Sequence, residues 1–356
     1  MVKPAERLSG LTIGTGWLVD NLVPRGAGET GGCFSIGYTC THGDGRKGFL
    51  KALDFSRALS SSDPIAALQV MTAEYDFERE VLKICEPMSR IVVALEFGTQ
   101  VVGDPAKAEI VPFIVFELAE GNIRAQAVRA KLTTPTQSMR LFHQVVAGAR
   151  QLHGREIAHQ DIKPSNVLVF GNKDAKLGDL GRAIRKGRPT AHDHGFPGDP
   201  RYAPPECLFG FSHSEFTVRR LSSDLFLLGS VGTFILTGAP FSATLVAELP
   251  SALHPSRWHG TYAQALPHVR LAFDQAMRRL EDGLRQQLPL FDSEGYREDL
   301  MALFRWLMDP DPELRGHPRT RAINSHSGNP FDLERVLTAL DVLTGKVAMA
   351  ERKAKA

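Results

Sequence analysis

Cysteine is scarce in this chain, and the four present (Cys33, Cys40, Cys85, Cys207) form no C-x-x-C pair. That argues against a disulfide framework or a zinc site and for reduced thiols in a cytoplasmic protein. An excess of charge of either sign is also missing. With 42 Lys+Arg against 40 Asp+Glu, the net charge is +2, so nothing calls for nucleic acid or an acidic membrane as partner. Long apolar runs are lacking too. The longest, LFLLGSVGTFILTGAPF from Leu225, contains three glycines and is shorter than a membrane span usually needs; it reads as a helix buried in a core. The amino terminus has no apolar core of the signal-peptide kind, and no internal repeat is visible.

What is present is the composition of an ordinary globular protein, 43% apolar and 23% charged. At 356 residues the chain is too long for one small core, which predicts two lobes. Residues 11–120 read mainly as short apolar strands, such as GFLKALDF and VPFIVFELA, interrupted by one amphipathic helix around PIAALQVMTAEYDFEREVLKICE. From about residue 134 helices dominate. The expected architecture is therefore α+β: a sheet-rich lobe over 1–120, a helical lobe over 121–345, and a basic tail over 346–356.

Chemistry concentrates in HQDIKPSNVLVF, residues 159–170. Asp161 suits a base that orients an attacking hydroxyl, Lys163 suits a group that steadies a phosphate, and Asn166 offers a neutral oxygen ligand to a hard cation. Eighteen residues after Asp161, Asp179 in KLGDLGRA precedes a flexible turn. The apolar residues between the two segments predict a hairpin that gathers both acids at one edge. Upstream, Gly26, Gly28, Gly31 and Gly32 lie between two strands, where backbone amides can approach phosphate oxygens. Lys51, in the middle of an apolar strand, needs an anionic partner, and Glu78 on the following helix is the candidate.

These features, in this order over roughly residues 20–320, resemble the eukaryotic-type serine/threonine protein kinases. The resemblance implies a bilobal fold and transfer of phosphate from ATP, with Mg2+, to hydroxyls of a protein substrate. It implies that the glycine loop covers ATP and that Lys51, paired with Glu78, holds its phosphates. Phe49, Glu117, Ala119 and Leu168 would line the adenine, Asp161 and Lys163 would serve the catalytic loop, and Asn166 and Asp179 would hold Mg2+. GDPRYAPPE, residues 198–206, resembles the element that docks peptide substrate, with Glu206 paired to Arg315. Asp224 matches the helix-start aspartate that braces the catalytic loop. Lysine two residues after Asp161 resembles the serine/threonine class rather than the tyrosine class. Small-molecule phosphotransferases lack both that lysine and the docking element.

Four positions depart from the family pattern. Gln160 replaces the arginine that normally binds a phosphorylated activation loop, Leu180 replaces an apolar phenylalanine, and Asp199 replaces a threonine that bonds the catalytic aspartate and lysine. Phe49 stands where a small alanine usually lies over adenine, so its ring either stacks on the base or blocks it. Asp199 and Phe49 also fit a pseudokinase that binds nucleotide or scaffolds a partner, although Lys51, Asp161, Asn166 and Asp179 are all retained. Thr190 is the one loop hydroxyl besides Tyr202. With neutral Gln160 beside the catalytic aspartate, the loop is expected to be competent without phosphorylation, Arg182, Arg185 and Arg188 being the alternative phosphate partners.

Overall fold

The computed structural model describes residues 3–24, 35–103, 108–128, 134–171, 173–190, 195–288, 292, 296–322 and 328–355. The chain divides into two compact units, Met1–Glu120 and Gly121–Ala356.

The first unit is an antiparallel sheet with one long helix. Its strands are β1 (Thr12–Ile13), β2 (Trp17–Leu22), β3 (Ser35–His42), β4 (Lys47–Leu53), β5 (Ala94–Val102) and β6 (Glu109–Glu117), in the order β1-β2-β3-β4-β6-β5. Side chains alternate across the sheet with the period of two that strands impose. In β4, Gly48, Leu50 and Ala52 are buried while Phe49 and Lys51 share the other, half-buried face. Leu50 and Ala52 join Trp17, Val19, Tyr38, Cys40, Phe113 and Val115 in one apolar cluster. Burial pushes the Cys40 and Cys85 thiols up to about 12, so neither is a thiolate nucleophile at neutral pH. A short helix α1 (Ser56–Leu59) leads to α2 (Pro64–Cys85). Asp63 caps α2 by accepting from the Ala66 amide at 3.0 Å, with Pro64 in the first turn. The Tyr75 hydroxyl ties α2 to the sheet, 3.2 Å from the Gly98 carbonyl and 3.3 Å from that of Phe113.

The second unit is mainly helical. It opens with β7 (Gly121–Asn122), α3 (Ile123–Val128), α4 (Pro135–His153) and β8 (Ile157–Ala158). A hairpin of β9 (Val167–Phe170) and β10 (Asp174–Leu177) joins β7 in the order β10-β9-β7, and β11 (Ile184–Arg185) pairs with β8. There follow α5 (Pro205–Leu208), α6 (Ser222–Thr237), α7 (Phe241–Ala247), α8 (Tyr262–Gln287), α9 (Tyr296–Met308), α10 (Pro318–Ala322) and α11 (Glu334–Lys355). The apolar run expected as a core helix is α6. It is buried from Ser222 to Leu236 and packs against α4, α8 and α9. Among the described residues no single helix is long and apolar enough to cross a membrane. Thr217–Thr237 and Phe241–Ala247 reach that length only as a pair, bent by 96°. As far as Lys355, the basic tail is the end of a helix. Helix α11 continues unbroken to Lys355, and Glu351 accepts from the Thr136 hydroxyl at 2.8 Å, because its carboxylate reaches the unpaired amides at the start of α4.

Two glycines set how closely α6 is approached. A Cβ at Gly232 would lie 2.5 Å from the Phe142 ring, and one at Gly229 would lie 2.3 Å from Cγ of Met308. Phe142 is itself stacked on Phe304, with ring centroids 6.0 Å apart, so its ring has no free direction to yield. Overpacking costs about 1–3 kcal/mol, against about 1 kcal/mol gained by replacing a helical glycine with alanine. Gly232→Ala is therefore expected to lower the urea midpoint, and Gly229→Ala to lower it less, because methionine is flexible. A midpoint unchanged by Gly232→Ala would show that the Phe142 contact leaves room for a methyl group.

Candidate active site

In the first unit, β4 lies between β3 and β6, with Lys51 opposite Gly37 on one side and Ile114 on the other. The Lys51 ammonium donates to both carboxylate oxygens of Glu78, at 2.7 and 3.0 Å. Glu78 is buried on α2, whereas Glu80 is half-buried. Two residues before Lys51 on the same face, the Phe49 ring folds down onto β3. A Cβ at Gly37 would lie 2.8 Å from its tip, so the absence of a side chain at Gly37 is what seats the ring. At the end of β6, Glu117 accepts from the Val93 amide at 2.8 Å through Oε1. Ala119, two residues on, is half-buried. Gly26, Gly28, Gly31 and Gly32 lie outside the described residues.

In the second unit the polar residues hang from one buried carboxylate. Asp224, in the first turn of α6, is fully buried. It accepts from the backbone amides of His159 at 2.7 Å and Gln160 at 2.8 Å, and from the His153 ring at 3.0 Å. Gln160 takes the left-handed conformation, φ 65°, a strained choice for a residue with a side chain. His159 is engaged at both nitrogens: Nε2 donates to the Gly178 carbonyl at 3.1 Å, and Nδ1 accepts from the Asp161 amide at 3.3 Å. With both ring nitrogens so engaged, no lone pair is left for base chemistry.

Three donors converge on the Asp161 carboxylate. They are the Lys163 ammonium at 2.8 Å, the Asn166 side-chain amide at 3.0 Å and the Asp199 backbone amide at 3.0 Å. Burial pushes this carboxyl up from the ordinary aspartate range; Lys163 pulls it back, and Asp179 pushes it up again. The Asn166 NH2 is held by the Asp161 carbonyl and carboxylate, so its amide oxygen points away from them. Hairpin register brings the backbone around Asn166 and Asp179 together. Val167 lies opposite Leu177, and the Gly178 amide donates to the Asn166 carbonyl at 2.9 Å just beyond the ladder. Asp179 then turns out with φ 59°. One amide oxygen and one carboxylate make an all-oxygen donor set of the kind a hard divalent cation takes together with phosphate and water. Among the described residues no group of three or more His, Cys, Asp or Glu side chains is placed to hold a metal ion. Leu168 is half-buried on β9, opposite Asn122 of β7.

Downstream, the Asp199 carboxylate lies between two cations: it forms an ion pair with Lys163 at 4.0 Å and is held more closely by Arg201, at 3.2 and 2.8 Å. A fork of two guanidinium donors fits a carboxylate better than a single ammonium already committed to Asp161. Asp199 meets Asp161 through its backbone amide. Glu206 and Arg315 form a buried two-point pair at 2.7 and 2.5 Å, with the guanidinium over Phe226. Thr190 is half-buried. Sequence reasoning passed over His153, Arg201 and Arg220. Arg220 carries a legible signal, standing one helical turn before Asp224.

The family model described as "Protein kinase domain" matches residues 26–322. The chain is similar to the inactive serine/threonine-protein kinase PLK5 of Mus musculus, 30% identical over 52% of this chain and 31% of the relative. It is similar to serine/threonine-protein kinase PrkC of Bacillus subtilis, 25% identical over 59% of this chain and 33% of the relative. It is also similar to serine/threonine-protein kinase par-4 of Caenorhabditis elegans, 31% identical over 66% of this chain and 37% of the relative. The chain thus spans about a third of the length of these relatives. An antiparallel sheet followed by a mainly helical region, and a match to the family model over most of the chain, place this protein in the protein kinase family.

Proposed function

We propose that this protein transfers the terminal phosphoryl group of ATP, with Mg2+, to serine or threonine hydroxyls of a protein substrate. The observation that carries the reading is the Asp161 carboxylate, held by three donors beside the Asn166 amide oxygen and Asp179. Asp161 accepts the hydrogen bond of the substrate hydroxyl and orients its oxygen in line with the γ-phosphorus. As the new O–P bond forms and the bond to the β–γ bridging oxygen breaks, the hydroxyl proton passes to Asp161. Lys163 offsets charge on the transferring group, and Lys51, fixed by Glu78, holds the α- and β-phosphates. Asn166 and Asp179 would hold Mg2+, which supplies charge neutralisation on the phosphates when bound. Positioning and fixed charges of this kind carry most of phosphoryl-transfer catalysis. The serine/threonine relatives and Lys163 support the choice of hydroxyl, and the Glu206–Arg315 element supports a protein substrate.

A second reading, a nucleotide-binding protein without transferase activity, is favoured by the Phe49 ring on the Lys51 face of the sheet. It also has a relative described as inactive in its support.

Two expectations test the first reading. Asp161→Asn should lower turnover by about 10²–10⁴-fold with nucleotide affinity within twofold, measured with labelled ATP on a generic protein substrate. In the wild type, the ionised carboxylate is the active form and burial raises its pKa. Activity should therefore fall as pH decreases through a value above the ordinary 3.8, in a profile of kcat/KM. An acid limb at or below that ordinary value, or full turnover in Asp161→Asn, would remove Asp161 from the role.

Phe49 tests whether the nucleotide site that both readings need is open. Its ring lies down against Gly37 and so offers a face on which adenine stacks. An aromatic contact contributes about 0.5–1.5 kcal/mol, so Phe49→Ala should weaken ATP binding about threefold to tenfold in thermal-shift titrations. A wild type that shows no ATP-dependent shift, together with an alanine variant that gains one, would establish the ring as a plug.

A further inference from the structure

The family pattern uses an arginine beside the catalytic aspartate to receive an activation-loop phosphate, and here that place is Gln160. The structure puts the missing guanidinium elsewhere. Arg220 lies in a single π-type turn, Thr217–Leu221, that runs into α6. It is 2% exposed, and Gln160 is fully buried. One nitrogen of Arg220, Nη1, donates to the Gln160 side-chain oxygen at 3.1 Å and to the Gly195 carbonyl at 2.7 Å. The Gln160 NH2 in turn donates to the Arg220 carbonyl at 2.9 Å and to Asp224 at 3.1 Å. Both ends of the Gln160 amide are thus assigned: its oxygen faces a donor, and its nitrogen faces two acceptors. The reverse orientation would set NH2 against guanidinium. An arginine at position 160 could not make these bonds, because it has no acceptor to offer Arg220.

The segment that Arg220 grips is also held at its far end. At Gly198 a Cβ would lie 2.2 Å from the Gln160 carbonyl oxygen, so only glycine permits that approach. The next amide, Asp199, donates to Asp161 at 3.0 Å. Upstream, Ile184 pairs with Ala158 across β11 and β8. Residues 195–199 are therefore latched to the catalytic loop at Gly195, Gly198 and Asp199. The first latch is a buried, permanently charged side chain of the protein itself.

We propose that Arg220 is a positioning residue that holds the activation segment on the catalytic loop in place of a phosphate, making the unphosphorylated protein competent. Through Gly195 and Asp199 it sets where Asp161 stands. Its guanidinium takes part through Gln160, without touching substrate. The kinetic part of this inference rests on the phosphotransfer reading; the structural part does not.

The test uses the full chain, phosphatase-treated and shown by mass spectrometry to carry no phosphate. In Arg220→Gln, kcat/KM for a protein or peptide substrate should fall at least tenfold while KM for ATP stays within twofold. Hydrogen exchange should accelerate at the Asp199 and Tyr202 amides, with α4 and α6 still protected. Thr190→Ala should keep its rate within twofold. If Arg220→Gln fails to fold, Arg220→Lys keeps the charge with a shorter reach and should show the same local acceleration of exchange. Wild-type rate and exchange in a folded Arg220 variant would overturn the proposal. So would loss of protection spread over α4 and α6, which would mark Arg220 as a general brace. A tenfold fall in Thr190→Ala would overturn it as well. If the wild type transfers no phosphate, the exchange arm alone decides between these outcomes, and the phosphotransfer reading fails separately.

Discussion

The polar half of the site in the second unit depends on Asp224. A carboxylate with no exposure is costly to bury unless hydrogen bonds surround it, and here the surrounding donors are the catalytic loop itself. The His159 and Gln160 amides, the Gln160 side chain and the His153 ring all point inward at it. Meeting that demand is what forces Gln160 into the left-handed conformation. The turn then delivers Asp161 to Lys163, Asn166 and the Asp199 amide. Loss of the Asp224 charge would leave those amides without acceptors, and the loop would have no reason to keep its strained form.

A second buried charge pair does comparable work at the other end of the same segment. Arg315 and Glu206 sit among the aromatic and apolar residues of α6 and α8, where every remaining guanidinium donor has a backbone partner. Nε reaches the Asp309 carbonyl at 2.8 Å, and Nη1 also reaches that of Ser222 at 3.2 Å. Pairs this deep add little net stability over an apolar replacement, yet leaving one partner alone is expensive. They act chiefly to specify a single arrangement, and here they specify where residues 199–206 attach.

Much of this was legible in residue order, because the chemistry requires fixed types at fixed spacing. Lys51 in an apolar strand demanded a buried acid, and the hairpin reading of VLVF and AKL brought Asp161 and Asp179 to one edge. The α6 run read as core rather than membrane because glycines interrupt it, and those glycines are where Phe142 and Met308 press in. What did not show was pairing that depends on side-chain reach. Asp199 pairs with Lys163 only at 4.0 Å, and Arg201, two residues on, reaches it with two donors. Arg220 gives no hint of its partners, Gln160 and Gly195, because they are distant in sequence and are joined only by the fold. The basic tail reads as a helix end, but nothing in its composition shows that Glu351 bonds Thr136 at the start of α4.

That clasp between Glu351 and Thr136 spans 215 residues of chain, and it has a bearing on how the protein is made. Helix α4 is among the first elements of its unit to leave the ribosome, yet α11, which packs along it, is synthesised after everything else described in that unit. The face of α4 that meets α11 must wait uncovered throughout translation of the intervening helices. Long-range contacts of this kind slow folding and leave apolar surface open to association with other chains. The second unit therefore cannot close over α4 until α11 has been made, and a nascent polypeptide stalled before α11 would be a client for chaperones.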